Sequence, residues 1–428
     1  MVRIKKSCLI LVCSFFSLIL SGQSEYTREA IEILTSDSLF GRGYLHDGDK
    51  KAADYIASEF EKAGVIPFSE NDYFQKFNLN VNTFPHNPSV EINGEVLTLC
   101  EDYLIYPHSG SSEGKRKPYL VTPENVGDLF VPEKLQNEKF LNKHVFVVDP
   151  SSIMEESADS IKTFRSLIYL LPKVGPTIYL TPDKFMWHVS DEQFKHAALE
   201  ITMDTYKSFG KVKKIEFNVQ NKFRNNFSTQ NVIGYTEAKE PTDDFIVFMA
   251  HYDHLGGIGD ACFFPGANDN ASGTAMLFNL AKHFAENPGK FNVAYMAFSG
   301  EEAGLLGSKY YIENPLFPVE NIAFVINFDI LGSAEEGITV VNATEHADAF
   351  EQLTTINEEK NYLPAIKSRG KAANSDHHWF TEKGVPAFYI YTLGSVKAYH
   401  DPHDTADGLP LAHFDDIHQL IIDFVNGL

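Results

Sequence analysis

The chain has 428 residues, of which 43% are hydrophobic and 13% aromatic. This composition supplies a large core and argues against global disorder, and the length suits two domains better than one. The formal charge of −22, from 36 basic and 58 acidic residues, argues against a nucleic-acid surface and against binding to an anionic membrane.

The first 22 residues have the pattern of a signal peptide. Three basic residues (Arg3, Lys5 and Lys6) precede an apolar run at 8–20, and Ser21-Gly22 offers small residues for cleavage. The run is shorter than the roughly 20 residues that a membrane-spanning helix needs, although an uncleaved anchor is the alternative. We therefore expect an extracytoplasmic protein, periplasmic or secreted, with no stable membrane span after cleavage.

Two cysteines, Cys100 and Cys262, remain after removal of this leader. Neither lies in a CxxC or Cys/His zinc pattern, so thiolate metal chemistry is not expected. One ordinary disulfide and two free thiols both stay open.

Residues 23–80 are expected to form an N-terminal, largely helical part of the main domain. Ala52, Ile56 and Phe60 recur at helical spacing, and Gly64 is placed to end that helix. A strand is expected to begin near Tyr73.

Residues 81–225 are predicted to form an inserted, β-rich accessory domain. Short strand-like runs alternate with polar loops, and Ser109–Lys117 has the composition of a mobile loop. The isolated histidines lack partners at ligand spacing and are expected to be ordinary surface or core residues: His86, His108, His144, His188 and His196.

Residues 226–428 alternate between strand-like and helical patterns. Strands are predicted at 245–250, 291–298, 322–328 and 386–392, and the clearest helix spans 272–284. Such alternation predicts an α/β fold, with a mixed β-sheet sandwiched by helices.

Metal-binding side chains follow four of these strands. The runs lead into His251-x-Asp253, Glu301-Glu302, Asp329 and, one loop later, His400, while Asp269 lies in a loop before the helix. Imidazole nitrogens and carboxylate oxygens without thiolates suit zinc or a similar divalent ion. Two adjacent buried carboxylates repel one another unless one binds metal and the other holds a proton, which suggests one ligand and one general base.

These segments, taken in order, resemble the zinc-dependent exopeptidases that include aminopeptidase S, aminopeptidase Y and glutamate carboxypeptidase. The resemblance covers roughly residues 225–428, with weaker similarity at 39–63. The segments are His251-Tyr252-Asp253, Asp269-Asn270-Ala271-Ser272-Gly273, Ser299-Gly300-Glu301-Glu302-Ala303-Gly304, Asn327-Phe328-Asp329 and Tyr399-His400-x-Pro402-x-Asp404. Families of this kind often carry an inserted protease-associated domain, and 81–225 has the corresponding position and length.

The resemblance implies two zinc ions and a role for each matching residue. Asp269 would bridge both ions, His251 and Asp329 would complete one, and Glu302 and His400 the other. Glu301 would be the general base acting on a metal-bound water, Asp253 would orient His251, and Tyr399 would donate to the developing oxyanion. The family often has a cis peptide after the bridging aspartate, here Asp269-Asn270. An aminopeptidase also needs a carboxylate for the substrate amine, which Glu302 would provide.

The expected function is an exported dizinc aminopeptidase acting on peptides with a free N-terminus. Alternatives on the same scaffold are a glutamate-carboxypeptidase-like exopeptidase, a single-zinc glutaminyl-cyclase-like enzyme and a non-catalytic binding relative. Tyr399 favours the peptidase, since the cyclases usually have Trp before the last histidine.

Overall fold

The computed structural model describes residues 24–69, 72–153, 157–182 and 184–428. The predicted signal peptide at 1–22 lies outside these residues. The strands, in chain order, are β1 (Ile66–Pro67), β2 (Phe74–Thr83), β3 (Ser89–Ile92), β4 (Glu95–Val96), β5 (Tyr103–Ile105), β6 (Ser112–Val121), β7 (His144–Val148), β8 (Thr177–Thr181), β9 (Ala198–Thr202), β10 (Ile215–Val219), β11 (Lys222–Thr236), β12 (Phe245–His251), β13 (Gly256–Ile258), β14 (Cys262–Phe264), β15 (Asn292–Phe298), β16 (Ile322–Phe328), β17 (Gly337–Val341), β18 (Ile366–Ser368) and β19 (Ala387–Leu393).

The α-helices follow the same order. They are α1 (24–34), α2 (Gly48–Lys62), α3 (Pro132–Leu135), α4 (Glu138–Lys143), α5 (Ala158–Leu170), α6 (Met203–Ser208), α7 (Ser272–Glu286), α8 (Leu306–Glu313), α9 (Ala347–Lys360), α10 (His377–Glu382) and α11 (Phe414–Gly427). Among the described residues, no helix combines the length and the apolarity needed to cross a membrane.

The larger sheet has nine strands in the order β1-β11-β15-β12-β16-β19-β17-β18, with β2 paired to β11. The strands β12, β15, β16 and β19 run parallel, so their carboxyl ends share one edge. The four strands expected in this region are therefore confirmed to within one residue at each end.

Helices cover both faces of this sheet. Ile246 and Phe248 of β12 pack in one apolar cluster with residues of α2, α7 and α11. Val247 and Met249, which point the other way, pack with residues of α8 and α10. Because side chains alternate along a strand, a continuous apolar run is what a sheet buried on both faces requires. The predicted mixed sheet sandwiched by helices is confirmed.

A second sheet of eight strands has the order β4-β3-β10-β6-β7-β8-β9-β5. We propose that it and its helices form the accessory domain predicted at 81–225. The expectation of a mobile loop at Ser109–Lys117 was wrong, because most of this polar segment lies in β6, where Ser112–Arg116 pair with β10. Helix α5, whose Phe164 packs against the apolar face of β7, was not predicted from the sequence.

A disulfide links the regions that carry the two sheets. Cys100, near the start of β5, is bonded to Cys262 at the start of β14. This resolves the open question about the two cysteines in favour of a bond. Strand β14 forms a hairpin with β13, and this hairpin precedes the loop that contains Asp269.

Candidate metal centre

The predicted ligands converge at the edge where the parallel strands end. His251 is the last residue of β12, Asp329 directly follows β16, and Glu301 and Glu302 lie in the turn after β15. His400 lies in the loop after β19. The structure thus brings together all the side chains that the sequence analysis assigned to metal.

Asp269 lies between the two histidines. Its Oδ1 is 3.3 Å from Nε2 of His251, and its Oδ2 is 3.2 Å from Nε2 of His400. His251 Nε2 is also 3.4 Å from Asp329 Oδ1, and His400 Nε2 is 3.3 Å from Glu302 Oε2. The donor atoms therefore form two groups that share one carboxylate.

The backbone around Asp269 is fixed by buried hydrogen bonds. The carboxylate of Asp404 accepts from the N–H groups of Asn268 (2.8 Å) and Asp269 (3.0 Å). The side chain of Asn270 donates to the carbonyl oxygen of Phe328 over 2.9 Å. The Asp269-Asn270 peptide is cis, as the resemblance implied.

The two adjacent glutamates have opposite electrostatic environments. Burial, reinforced by the charges of Glu302, Asp376 and Asp329, holds the pKa of Glu301 well above its usual range despite the opposing effect of His251. Burial also acts to raise the pKa of Glu302, but His400 and a hydrogen bond from His254 outweigh it and lower that pKa to about 2. One carboxyl is therefore suited to hold a proton and the other to stay ionised.

This donor set fits divalent cations. Four carboxylates lie beside two imidazoles in a largely buried setting, where uncompensated negative charges are costly. Three-residue groups that could hold an ion are His251 with Glu301 and Asp329, and His251 with Asp269 and Glu302. Nitrogen and oxygen donors without thiolates are typical of hydrolytic zinc sites.

Asp253 contacts His251 mainly through its backbone. Nδ1 of His251 is 3.1 Å from the carbonyl oxygen of Asp253 but 3.9 Å from its carboxylate. That carboxylate instead accepts from the hydroxyl of Tyr44 (2.8 Å) and from the N–H of Glu301 (3.2 Å). Asp253 thus connects the predicted ligand His251 with the turn that carries Glu301.

His254 is a site residue to which the sequence analysis gave no role. Its ring is fully buried, and Nδ1 lies 2.8 Å from Oε1 of Glu302. Gly266 packs against this ring so closely that a Cβ atom there would lie 2.3 Å from the ring carbon Cδ2. The position of His254, one residue beyond the His251-x-Asp253 pattern, was the only signal in the sequence.

Ser375 supports the predicted ligand Asp329. Its hydroxyl donates to Oδ2 of Asp329 over 3.2 Å and accepts from the side-chain amide of Asn327 over 2.7 Å. These two hydrogen bonds connect β16 with the segment before α10, so they fix the position of the Asp329 carboxylate.

A cavity of about 340 Å³ opens above the ligands. Tyr399 lies at its rim, where its ring stacks on His400 with centroids 4.0 Å apart, and 41% of the residue is exposed. Its lining residues are His251, Asp269, Glu301, Glu302, Asp329, Ile330, Arg369, Asn374, Tyr389, Tyr391, Tyr399 and His400.

The connection between β8 and β9 of the second sheet also reaches this site, through its residues 184–188. Lys184 donates to the carboxylate of Asp401 over 2.9 Å, and the N–H of Trp187 donates to the carbonyl oxygen of His400. His188 was expected to be an ordinary core or surface residue; burial lowers its pKa to about 4, with smaller contributions from His108 and His400. The segment therefore borders the predicted ligand loop.

Comparison with known proteins identifies relatives. Residues 231–425 match the model of peptidase family M28. Aminopeptidase YwaD of Bacillus subtilis is 30% identical over 194 residues, which cover 42% of this chain and 41% of that protein. The probable lipoprotein aminopeptidase LpqL of Mycobacterium tuberculosis is 30% identical over 186 residues, or 40% of this chain and 36% of that protein. The chain thus spans about two fifths of the length of these curated relatives.

Solved structures show the fold over almost the whole chain. BSAP, a zinc aminopeptidase from Bacillus subtilis, superposes with a TM-score of 0.69 at 18% identity, covering 94% of both chains. A peptidase M28 precursor from Shewanella amazonensis gives a TM-score of 0.66 at 16% identity, covering 94% of this chain and 95% of the other. Both sheets therefore lie within the part of the chain whose fold resembles these two solved structures.

Proposed function

We propose that the chain, whose residues 231–425 match the model of peptidase family M28, is an exported aminopeptidase that binds two zinc ions. The observation that carries this proposal is the position of Asp269. Its two carboxylate oxygens face His251 and His400 at 3.3 and 3.2 Å, an arrangement suited to a carboxylate that bridges two cations.

We assign the residues to the two ions in the way that the resemblance implied. His251 and Asp329 would hold one ion, Glu302 and His400 the other, and Asp269 both. When bound, zinc polarises a carbonyl oxygen and lowers the pKa of water toward neutrality. Glu302 is assigned to metal binding rather than to the substrate amine, because Oε1 and Oε2 already face His254 and His400.

Glu301 is proposed as the general base. Neighbouring carboxylates and burial favour its protonated form, so a proton taken from water is well held there and available for the leaving amine. The N–H of Glu301 is tied to the Asp253 carboxylate, which fixes the turn that presents its side chain. Tyr399, at the cavity rim, would donate its hydroxyl proton in a hydrogen bond to the oxygen that gains charge.

We further propose that the protein acts outside the cytoplasm. The signal-peptide pattern at 1–22 and the Cys100–Cys262 disulfide both support this location, since disulfides persist in oxidising compartments. Its substrates would be peptides, not nucleic acids, in keeping with the net charge of −22.

Product analysis on the purified zinc-loaded chain tests the proposed function. Peptides with a free, an acetylated or a glutamine N-terminus are incubated, and the products are identified by mass spectrometry. Stepwise loss of N-terminal residues that acetylation blocks supports the aminopeptidase. Loss of ammonia from N-terminal glutamine would indicate a cyclase, removal of C-terminal residues a carboxypeptidase, and no turnover a binding protein.

A further inference from the structure

Arg369 is the single arginine or lysine among the residues that line the cavity. The other charged or titratable groups of the lining are the ligands, Glu301 and the tyrosines. Arg369 therefore gives one wall of an otherwise acidic cavity a fixed positive charge, since a guanidinium stays protonated at any physiological pH.

The sheet register explains why Arg369 lies over this cavity. Thr339 of β17 pairs with Tyr391 of β19 on one side and with Lys367 of β18 on the other. Side chains alternate along a strand, so Arg369, two residues after Lys367, is on the same face as Tyr391. Accordingly, Nη1 of Arg369 lies 3.4 Å from the Tyr391 hydroxyl.

The guanidinium has no acidic partner in the part of the chain that the structure describes. No carboxylate oxygen there forms an ion pair with it, whereas nearby Lys371 is paired with Glu382 at 2.7 Å. Arg369 is exposed, and its planar fork of N–H donors is suited to a bidentate contact with a carboxylate. A ligand with that group would supply the missing partner.

The four carboxylates of the metal centre would repel such a ligand if they stood alone. Two divalent zinc ions offset their charge, so this step rests on the proposed function. When zinc ions neutralise the metal centre, Arg369 is the full charge that remains on the cavity lining, apart from any charge on Glu301 or the histidines.

We propose that Arg369, supported by Tyr391, binds a carboxylate of the substrate and makes the enzyme selective for peptides that present a carboxylate at this position. The carboxylate comes from one of two sources. It is either the side chain of an N-terminal Glu or Asp, or the free C-terminus of a short peptide.

The test compares matched substrates on the zinc-loaded full chain. The first pair is the p-nitroanilides of Glu and Gln, which differ in the side-chain charge. The second pair is Leu-Gly and Leu-Gly-amide, which differ in the terminal charge. A charge-assisted hydrogen bond predicts that the carboxylate member of one pair has a kcat/KM about 10 to 100 times higher.

Three variants locate the effect. In Arg369→Gln the preference falls to near one, and in Arg369→Lys it is intermediate because a point charge replaces the fork. Lys367→Gln removes a charge two residues before Arg369 and on the same face, outside the cavity lining, and keeps the wild-type preference.

Two results would overturn the inference while leaving the aminopeptidase intact. One is a wild-type chain that hydrolyses both members of each pair equally well. The other is an Arg369→Gln variant that retains the full preference. A wild-type chain that cleaves neither Leu-p-nitroanilide nor any of the four substrates would overturn the proposed function itself, and this inference with it.

Discussion

The backbone N–H of Trp187 donates a hydrogen bond of 3.0 Å to the carbonyl oxygen of His400. His400 has a φ of 52°, a left-handed conformation uncommon outside glycine. Trp187 is itself fixed, since its ring stacks on Phe264 with centroids 5.0 Å apart and its indole N–H donates to the carbonyl oxygen of Ile105. The second sheet therefore helps to hold a proposed zinc ligand in place.

Replacing Trp187 tests this connection. In Trp187→Ala the stacking and the indole hydrogen bond are lost, so we expect the zinc ion assigned to Glu302 and His400 to bind about tenfold more weakly. Trp187→Phe keeps an aromatic ring and should show a smaller loss. Chelator competition measures both affinities, with circular dichroism as the control for folding. Equal zinc affinity in all three proteins would show that the contact is irrelevant to the ligand.

His254→Phe tests the hydrogen bond to Glu302. The ring volume is retained while the donor is lost, so one of the two zinc ions should be released at roughly 10- to 100-fold lower chelator concentration. The other ion, which we assign to His251 and Asp329, should be little affected. Stepwise titration with a coloured chelator distinguishes the two, and a variant that loses both ions together would contradict the assignment.

Asp269→Asn tests the bridge. A neutral amide is a poor bridge between two cations, so the affinity for both ions should fall together. Elemental analysis after dialysis against a weak chelator gives the zinc content. Asp329→Asn, which alters a ligand of only one proposed ion, is the matched comparison. If Asp269→Asn loses a single equivalent and Asp329→Asn does the same, Asp269 is not a bridge.

Glu200 on β9 should make stability depend on pH. Burial raises the pKa of its carboxyl from near 4.5 to about 7, so the native state binds this proton more tightly than the unfolded state. The contribution is therefore favourable below the unfolded-state pKa and is lost as the pH rises from about 4.5 through 7. Glu200→Gln should raise the free energy of unfolding at pH 8 by about 1–3 kcal/mol, and by less at pH 5.5. Urea unfolding at both pH values checks this, and an equal gain at each would contradict it.

The main sheet and the ligand positions could be predicted from sequence because the signals there are local. Continuous apolar runs such as Phe245–Ala250 identify strands buried on both faces, and the polar residues that follow mark their carboxyl ends. The role of His254 could not be predicted, because its partner Glu302 is 48 residues away and only the folded turn brings them together.

The second sheet shows a different limit of prediction from the sequence. The segment Ser109–Lys117 is polar and rich in Ser and Gly, yet Ser112–Arg116 form a strand because backbone hydrogen bonds to β10 order them rather than burial of their side chains. The contact between Trp187 and His400 likewise joins distant parts of the chain through backbone atoms, for which no sequence pattern exists.

The Glu301→Gln variant is the most direct test of the proposed chemistry. Zinc content and kcat are measured on the same preparation, with wild type alongside. Because the amide keeps the shape of the side chain but cannot take a proton, we expect the variant to retain two zinc ions and to have a kcat lower by about 10²- to 10⁴-fold. Nearly full activity would show that Glu301 is not the base. Loss of zinc together with activity would show instead that Glu301 is a ligand, as its place beside His251 and Asp329 would allow.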